Sequence, residues 1–192
     1  DLKLNGVERI FLSDSQNVSV YPTEQKVLVK KNRDFNFDGR VHAGRFDYYG
    51  KLFSFEYDQF RINMPNVDSM AFRIPSWVAN DKGEKLLVRV RSVVEGINGE
   101  LQIDAPGNKS GLKPYSRFPS FNSKKDSYVY YDKKSIYNAV YSRNKFYFHL
   151  KPFIIDSLND FKSEALSLQG YLSSANIFPE FDELLKVQPD YS

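Results

Sequence analysis

The eleven residues FSFEYDQFRIN, Phe53 to Asn63, decide how the chain is read. Phe53, Phe55 and Tyr57 alternate with Ser54 and Glu56. A period of two sends successive side chains to opposite faces of a strand, so this stretch has one apolar and one wet face. Such strands belong to antiparallel sheets with one buried side. Outward from this stretch the habit repeats. NVSVY sets Val18 and Val20 on one face, KVLVK does the same with Val27 and Val29, and AFRI, VRVRSVV and ELQID follow. NG, DG, YG and PG dipeptides separate the runs, as turns separate the short strands of a meander, sandwich or solenoid. With 16 Phe and 13 Tyr in 192 residues the composition points the same way, because aromatic side chains favour strands.

The expected fold is therefore mainly β, an antiparallel β-sandwich or irregular β-solenoid with two echoing strand units and a short C-terminal helix. The helix is read in PEFDELLKV, where Phe181, Leu184 and Leu185 share a face, Pro179 precedes, acids fill the first turn and Lys186 the last. SLNDFKSEAL sets Ser157 and Asp160 at capping-box spacing but runs into ALSLQGYL, which alternates like a strand. The echo joins FSFEYDQFRIN to FYFHLKPFIID, which begins at Phe146. Both read F-x-F-x-h-x-x-F-x-I-[N/D], where h is apolar. A shorter pattern, h-x-G-x-h, recurs at Phe37, Ile97 and Leu168, and marks Gly39, Gly99 and Gly170 as bulges or tight strand approaches. True duplication and two similar strand pairs in one sandwich explain the echo equally well. Residues 1–192 suit a single β-rich domain, with an insertion at about 106–144 in the second unit.

The net charge of +3 selects no partner by itself. The lack of cysteine excludes disulfides, thiolate metal sites and a Cys nucleophile. No apolar run approaches the ~18 residues of a transmembrane helix. A start at Asp1 and an end in QPDYS read as a piece of a longer protein.

RDFNFDG, Arg33 to Gly39, matches the opening of a calcium loop through Asp34, Asn36, Asp38 and Gly39. The twelfth position, which needs a bidentate carboxylate, holds Arg45. Phe35 and Phe37 alternate with the would-be ligands, and both flanks read as strands. The stretch is read as a strand entering a glycine turn, with no metal and no cofactor. His42 and His149 are the two histidines, and neither is read as base or ligand. G-x-S-x-G, Walker A and H-E-x-x-H are absent. Glu56 and Asp58 on one strand face keep a glycosidase-type hydrolase as a remote alternative, but the chain is not expected to be an enzyme.

Charge is concentrated in one segment. Lys113 to Lys145 carries eight basic and two acidic residues, so it holds +6 and the remainder −3. Tyrosines are interleaved with these cations. Lys113, Arg117, Lys124, Lys125, Tyr128, Tyr130, Tyr131, Lys133, Lys134 and Tyr137 are the candidate binding residues for an anionic glycan or an acidic protein surface. No RNP-type signature supports nucleic acid. The plainer reading, a decorated hairpin with half-buried tyrosines and a lysine-protected edge, is preferred.

Three stretches carry a resemblance: Val20 to Met70, Asn108 to Tyr141 (NKSGLKPYSRFPSFNSKKDSYVYYDKKSIYNAVY) and Ile177 to Ser192 (IFPEFDELLKVQPDYS). Together they resemble an internal, β-rich region of very large uncharacterised Bacteroidota-type envelope proteins. The resemblance implies an extracytoplasmic location, in the periplasm or outer envelope, and contact with other domains of the same parent chain. It brings no catalytic residue and no ligand. The h-x-G-x-h pattern also resembles, more distantly, repetitive β-groove lipid-transfer proteins. The expected function is a non-catalytic structural or interaction module, with the acidic-polymer binding module as the alternative and a lipid-binding β-groove as a remote one.

Overall fold

Every strand in the structure, a computed structural model describing residues 1–134, 136–161 and 168–192, pairs antiparallel with its neighbours. The strands are β1 (Leu2–Leu4), β2 (Ile10–Ser13), β3 (Val18–Pro22), β4 (Val27–Val29), β5 (Phe35–Ala43), β6 (Phe46–Glu56), β7 (Arg61–Pro75), β8 (Leu87–Arg89), β9 (Val94–Gln102), β10 (Ser120–Ser123), β11 (Ser127–Tyr130), β12 (Phe146–Leu150), β13 (Ile154–Ile155), β14 (Leu168–Ser174) and β15 (Phe181–Leu185). Several successive strands are halves of one jogged ribbon. β1–β2, β3–β4, β5, β6, β7, β8–β9, β10–β11, β12–β13, β14 and β15 form ten such ribbons, and each pairs with the next in sequence. The result is a meander in one open sheet, with β1 and β15 on opposite edges.

The sheet is strongly curled. Tyr48 on β6 and Phe121 on β10 are three strands apart, yet their ring centroids lie 4.7 Å from each other. In a flat sheet three strand spacings would hold them about 14 Å apart. Alternation selects the residues that fill the concave face: Phe53 and Phe55 on β6, Ile62 and Met64 on β7, Ile97 and Leu101 on β9 are all buried. Phe46 and Phe72 close on Phe161, which reaches in from beyond β13.

The glycine readings from h-x-G-x-h correspond to real crossings. A Cβ at Gly99 would sit 2.5 Å from the Asn122 carbonyl oxygen and 2.6 Å from the Phe121 ring. At Gly170 it would sit 2.0 Å from the His149 carbonyl and 2.5 Å from the Phe148 ring. In both places a phenylalanine from the neighbouring strand lies over the bare glycine backbone.

Four expectations need correcting or restating. Phe181–Leu185 is not helical; it is β15, paired with β14 from Leu168↔Leu185 to Leu172↔Phe181. A helix this short does not recover its nucleation penalty, whereas the open edge of β14 offers a ready ladder. The helix read from Ser157 begins with a turn, closed by Asp160 N–H on the Ser157 carbonyl, and residues 162–167 lie outside the described residues. The echoing segments also differ in course. FSFEYDQFRIN is a hairpin with Phe55 opposite Ile62, whereas FYFHLKPFIID runs through β12 into β13 without folding back. Residues 106–144, read as an insertion, supply β10 and β11 to the interior of the sheet.

Truncating Phe121 should both open the core and uncover Gly99. Phe121→Ala is expected to destabilise by about 3–5 kcal/mol and Gly170→Ala by about 1–3 kcal/mol or more, read from urea midpoints. A Gly170→Ala midpoint at or above that of the unsubstituted chain would contradict the close approach.

Candidate binding surfaces

On the convex face, β11 presents Tyr128 and Tyr130 outward because Ser127 and Val129 turn into the core. Cross-strand register extends them into rows. Tyr128 sits between Glu95 and His149, His149 faces Tyr171, and Tyr130 faces Tyr147. The Tyr128 and His149 rings stack at 5.0 Å and 10°, Tyr128 and Tyr130 at 5.8 Å and 20°, and Tyr171 stands edge-on to His149 at 4.5 Å. His149 Nε2 lies 2.9 Å from Asp126 Oδ2. The Arg143 guanidinium caps Tyr130 at 3.6 Å and binds Glu95 and Asp132. Those bonds, led by the one to Glu95, raise its pKa further.

Three of the six candidate cations are answered by nearby acids. Lys124 pairs with Glu100 at 3.0 Å, Lys133 with Glu95 at 3.4 Å and Arg117 with Asp156 at 3.3 Å. Lys113, Lys125 and Lys134 make no ion pair among the described residues. Tyr137 begins a short 3-10 turn, Tyr137–Ala139. Tyr131 leaves the outer face altogether and packs on Phe146. Of the ten candidates, Lys125, Tyr128 and Tyr130 come together, along a shallow groove of about 910 Å³ shared with Arg143, Lys51 and Asp68. Its charges are mixed, so the concentrated positive field expected of the segment is absent from the groove.

The concave face holds a second site that was not read from the sequence. A cavity of about 240 Å³ opens between β9, β11, β12, β14 and β15, walled by Phe72, Val94, Val129, Phe148, Leu168 and Leu172. Most of these are core residues, so the cavity is an extension of the core toward one edge. Three polar groups border it. Ser92 Oγ is buried without a hydrogen-bond partner among the described residues. The Tyr131 phenol is pushed up to about 12 by burial and by the nearby Glu183 carboxylate, so it stays protonated. Glu183 itself also lines the cavity. The C-terminal segment covers the cavity, anchored by Arg91 N–H donating to the Tyr191 carbonyl at 2.7 Å and by Trp77 stacked on Tyr191. No family model, curated protein or solved structure matches the chain.

Several other polar residues have structural partners, whereas Asn36 Oδ1 on β5 is buried with none among the described residues. Asp34 Oδ1 accepts from Tyr57 N–H at 2.8 Å, and Asp38 Oδ1 from Leu52 N–H at 2.7 Å. Glu56 is engaged by Arg61 and Asn63, while Asp58 lies exposed in the turn that follows. Asp47, 2% exposed, is held by His42 Nδ1 and Arg73 Nη1, each at 2.9 Å. Burial opposes its charge, but the hydrogen bonds and charges of His42 and Arg73 prevail and lower its pKa. Among the described residues no cluster of three His, Cys, Asp or Glu side chains could hold a metal ion.

A carboxylate with a lowered folded-state pKa contributes stability above its ordinary pKa of 3.8 and loses it as pH falls through the folded value. Thermal stability should therefore drop below about pH 4, and Asp47→Asn should flatten that part of the profile. The same substitution should cost about 1.5–3 kcal/mol at pH 7, because a charged hydrogen-bond acceptor is lost from a buried network. An unchanged acid limb in Asp47→Asn would show that other carboxylates set it.

Proposed function

We propose that the chain is a non-catalytic binding module of a larger extracytoplasmic protein, and that its ligand is a small, neutral, apolar-bodied molecule held in the concave cavity. The observation that supports this is the cavity's composition: core side chains form its walls, and an unpartnered Ser92 hydroxyl sits among them. An unpaired buried hydroxyl costs about 1–3 kcal/mol, which a ligand's polar end would offset. Apolar pockets with a few placed polar groups are the usual form of small-molecule sites. Glu183 at the cavity disfavours a carboxylate ligand, whereas the protonated Tyr131 phenol can donate to an alcohol or ester oxygen. Neighbouring domains of the same parent chain are the expected protein partners.

A second reading is favoured by the convex face. The Tyr128, Tyr130, Tyr147 and Tyr171 rings beside Lys125 form an aromatic strip on which a polymer such as an anionic glycan could lie. Exchange of Lys124, Lys125, Lys133 and Lys134 for Glu tests it. The fourfold variant should fold and lose retention on immobilised heparin at low salt; retention that survives the reversal, or is missing from the start, dismisses this reading.

For the cavity, 1-decanol is the probe. Calorimetry should show saturable binding, a rise in melting temperature with ligand concentration and weaker binding of decanoate. Leu172→Phe, which narrows the cavity with an apolar side chain, should remain folded and bind decanol much less. Absence of saturable decanol binding to the unsubstituted chain defeats the proposal.

A further inference from the structure

The two edges of the sheet are unlike each other and complementary. At one edge Leu2 and Leu4 pair with Val29 and Val27, and Val27 is buried in the core. Residues directly opposite in an antiparallel ladder share a face, so Leu2 and Leu4 belong to the concave apolar side. They are nevertheless 62% and 38% exposed, because among the described residues no strand lies beyond them. At the other edge Phe181 pairs with Leu172, and Leu185 with buried Leu168, so both continue the same concave face. Phe181 is 41% exposed. On the convex side the edges carry opposite charge: Lys3 stands on β1, and Asp182, which takes one bond from Lys151 at 2.9 Å and stays 80% exposed, stands on β15.

The ribbon count adds a directional constraint. Antiparallel ribbons alternate in direction, and the described residues form ten, so the first and the last run oppositely. A second copy placed alongside in the same orientation would bring its β1 antiparallel to β15 of the first. Both concave faces would then lie on one side. A register with Lys3 opposite Asp182 sets Leu4 opposite Phe181 on the apolar face. Unpaired edges with exposed apolar side chains are templates for strand addition, which natural proteins otherwise blunt or cover.

We propose that a second copy of this chain docks edge to edge, β1 onto β15, and continues the sheet. The contact uses two different surfaces, so each copy keeps one free edge and association is open-ended, giving chains of molecules and not closed pairs. Lys3 and Asp182 set the register more than the affinity, since an exposed ion pair contributes little. This inference does not depend on the cavity having a ligand.

The absence of native cysteine makes the test clean. Lys3→Cys and Asp182→Cys chains are mixed and oxidised mildly, with Lys82→Cys, on an exposed turn distant in the sheet order, as the control partner. Mixed Lys3→Cys/Asp182→Cys dimers should form several-fold more readily than either homodimer or any control pair. The double variant should give a ladder of higher species. In sedimentation velocity, Lys3→Asp should weaken concentration-dependent association and Lys3→Asp with Asp182→Lys should restore it. Predominant homodimers of either variant, yields equal to the control, or a chain that stays monomeric at every concentration would each overturn the proposal.

Discussion

The ring of Phe121 carries three duties at once. It lies over Gly99 where a side chain would collide with the Asn122 carbonyl. It meets Tyr48 from the far side of the curl at 4.7 Å and Phe153 on the next ribbon at 6.2 Å. A sheet with one apolar face must either find a second layer or roll onto itself. Here it rolls, and the aromatic rings provide the bulk that lets strands three apart touch. Gly170 under Phe148 repeats the arrangement further along the meander. Curvature, core and cavity all follow from it, since the cavity lies where the rolled sheet widens toward β15.

Much of this was legible in residue order. Period two in NVSVY, FSFEY and ELQID marks β3, β6 and β9, and the glycines of h-x-G-x-h mark true close approaches. What residue order hides is partnership across the sheet. Lys124 and Lys133 look like unanswered cations until β9 brings Glu100 and Glu95 beside them. The cavity is equally hidden, because Val94, Val129 and Leu172 read as ordinary core positions and only the curl leaves space between them. The terminal segment misled for a different reason. Acids early and a lysine late suit a helix, but an open strand edge beside it offers more hydrogen bonds than a single turn could.

Two buried carboxylates hold the structure at separate places by different means. Asp47 uses charge, through His42 and Arg73 on either side of its ribbon. Asp104, fully buried, has neutral donors: Gln16 Nε2 at 3.0 Å, Asn108 Nδ2 at 2.9 Å and Ala105 N–H at 2.6 Å. Asn108 in turn accepts from Lys113 N–H at 3.0 Å, and Asn159 Nδ2 donates to the Gln16 carbonyl at 3.1 Å. One side-chain network thus ties the first hairpin, the loop after β9 and the turn after β13. Buried polar groups are tolerated where each finds partners, and this one joins segments that no strand pairing connects.

The nearest-neighbour order of the ribbons bears on how the chain acquires its structure. Loop-closure entropy must be overcome before a contact stabilises anything, and it grows with the separation of the partners. Each ribbon here waits only for the one that follows it, so hairpins can form in turn while later residues are still emerging from the ribosome. The bonds from Asn159 to the Gln16 carbonyl and from Arg45 to the Phe161 carbonyl join residues 143 and 116 positions apart, so their loops are the costliest to close. They act as a latch on a sheet built from neighbouring hairpins, in a chain without cysteine cross-links.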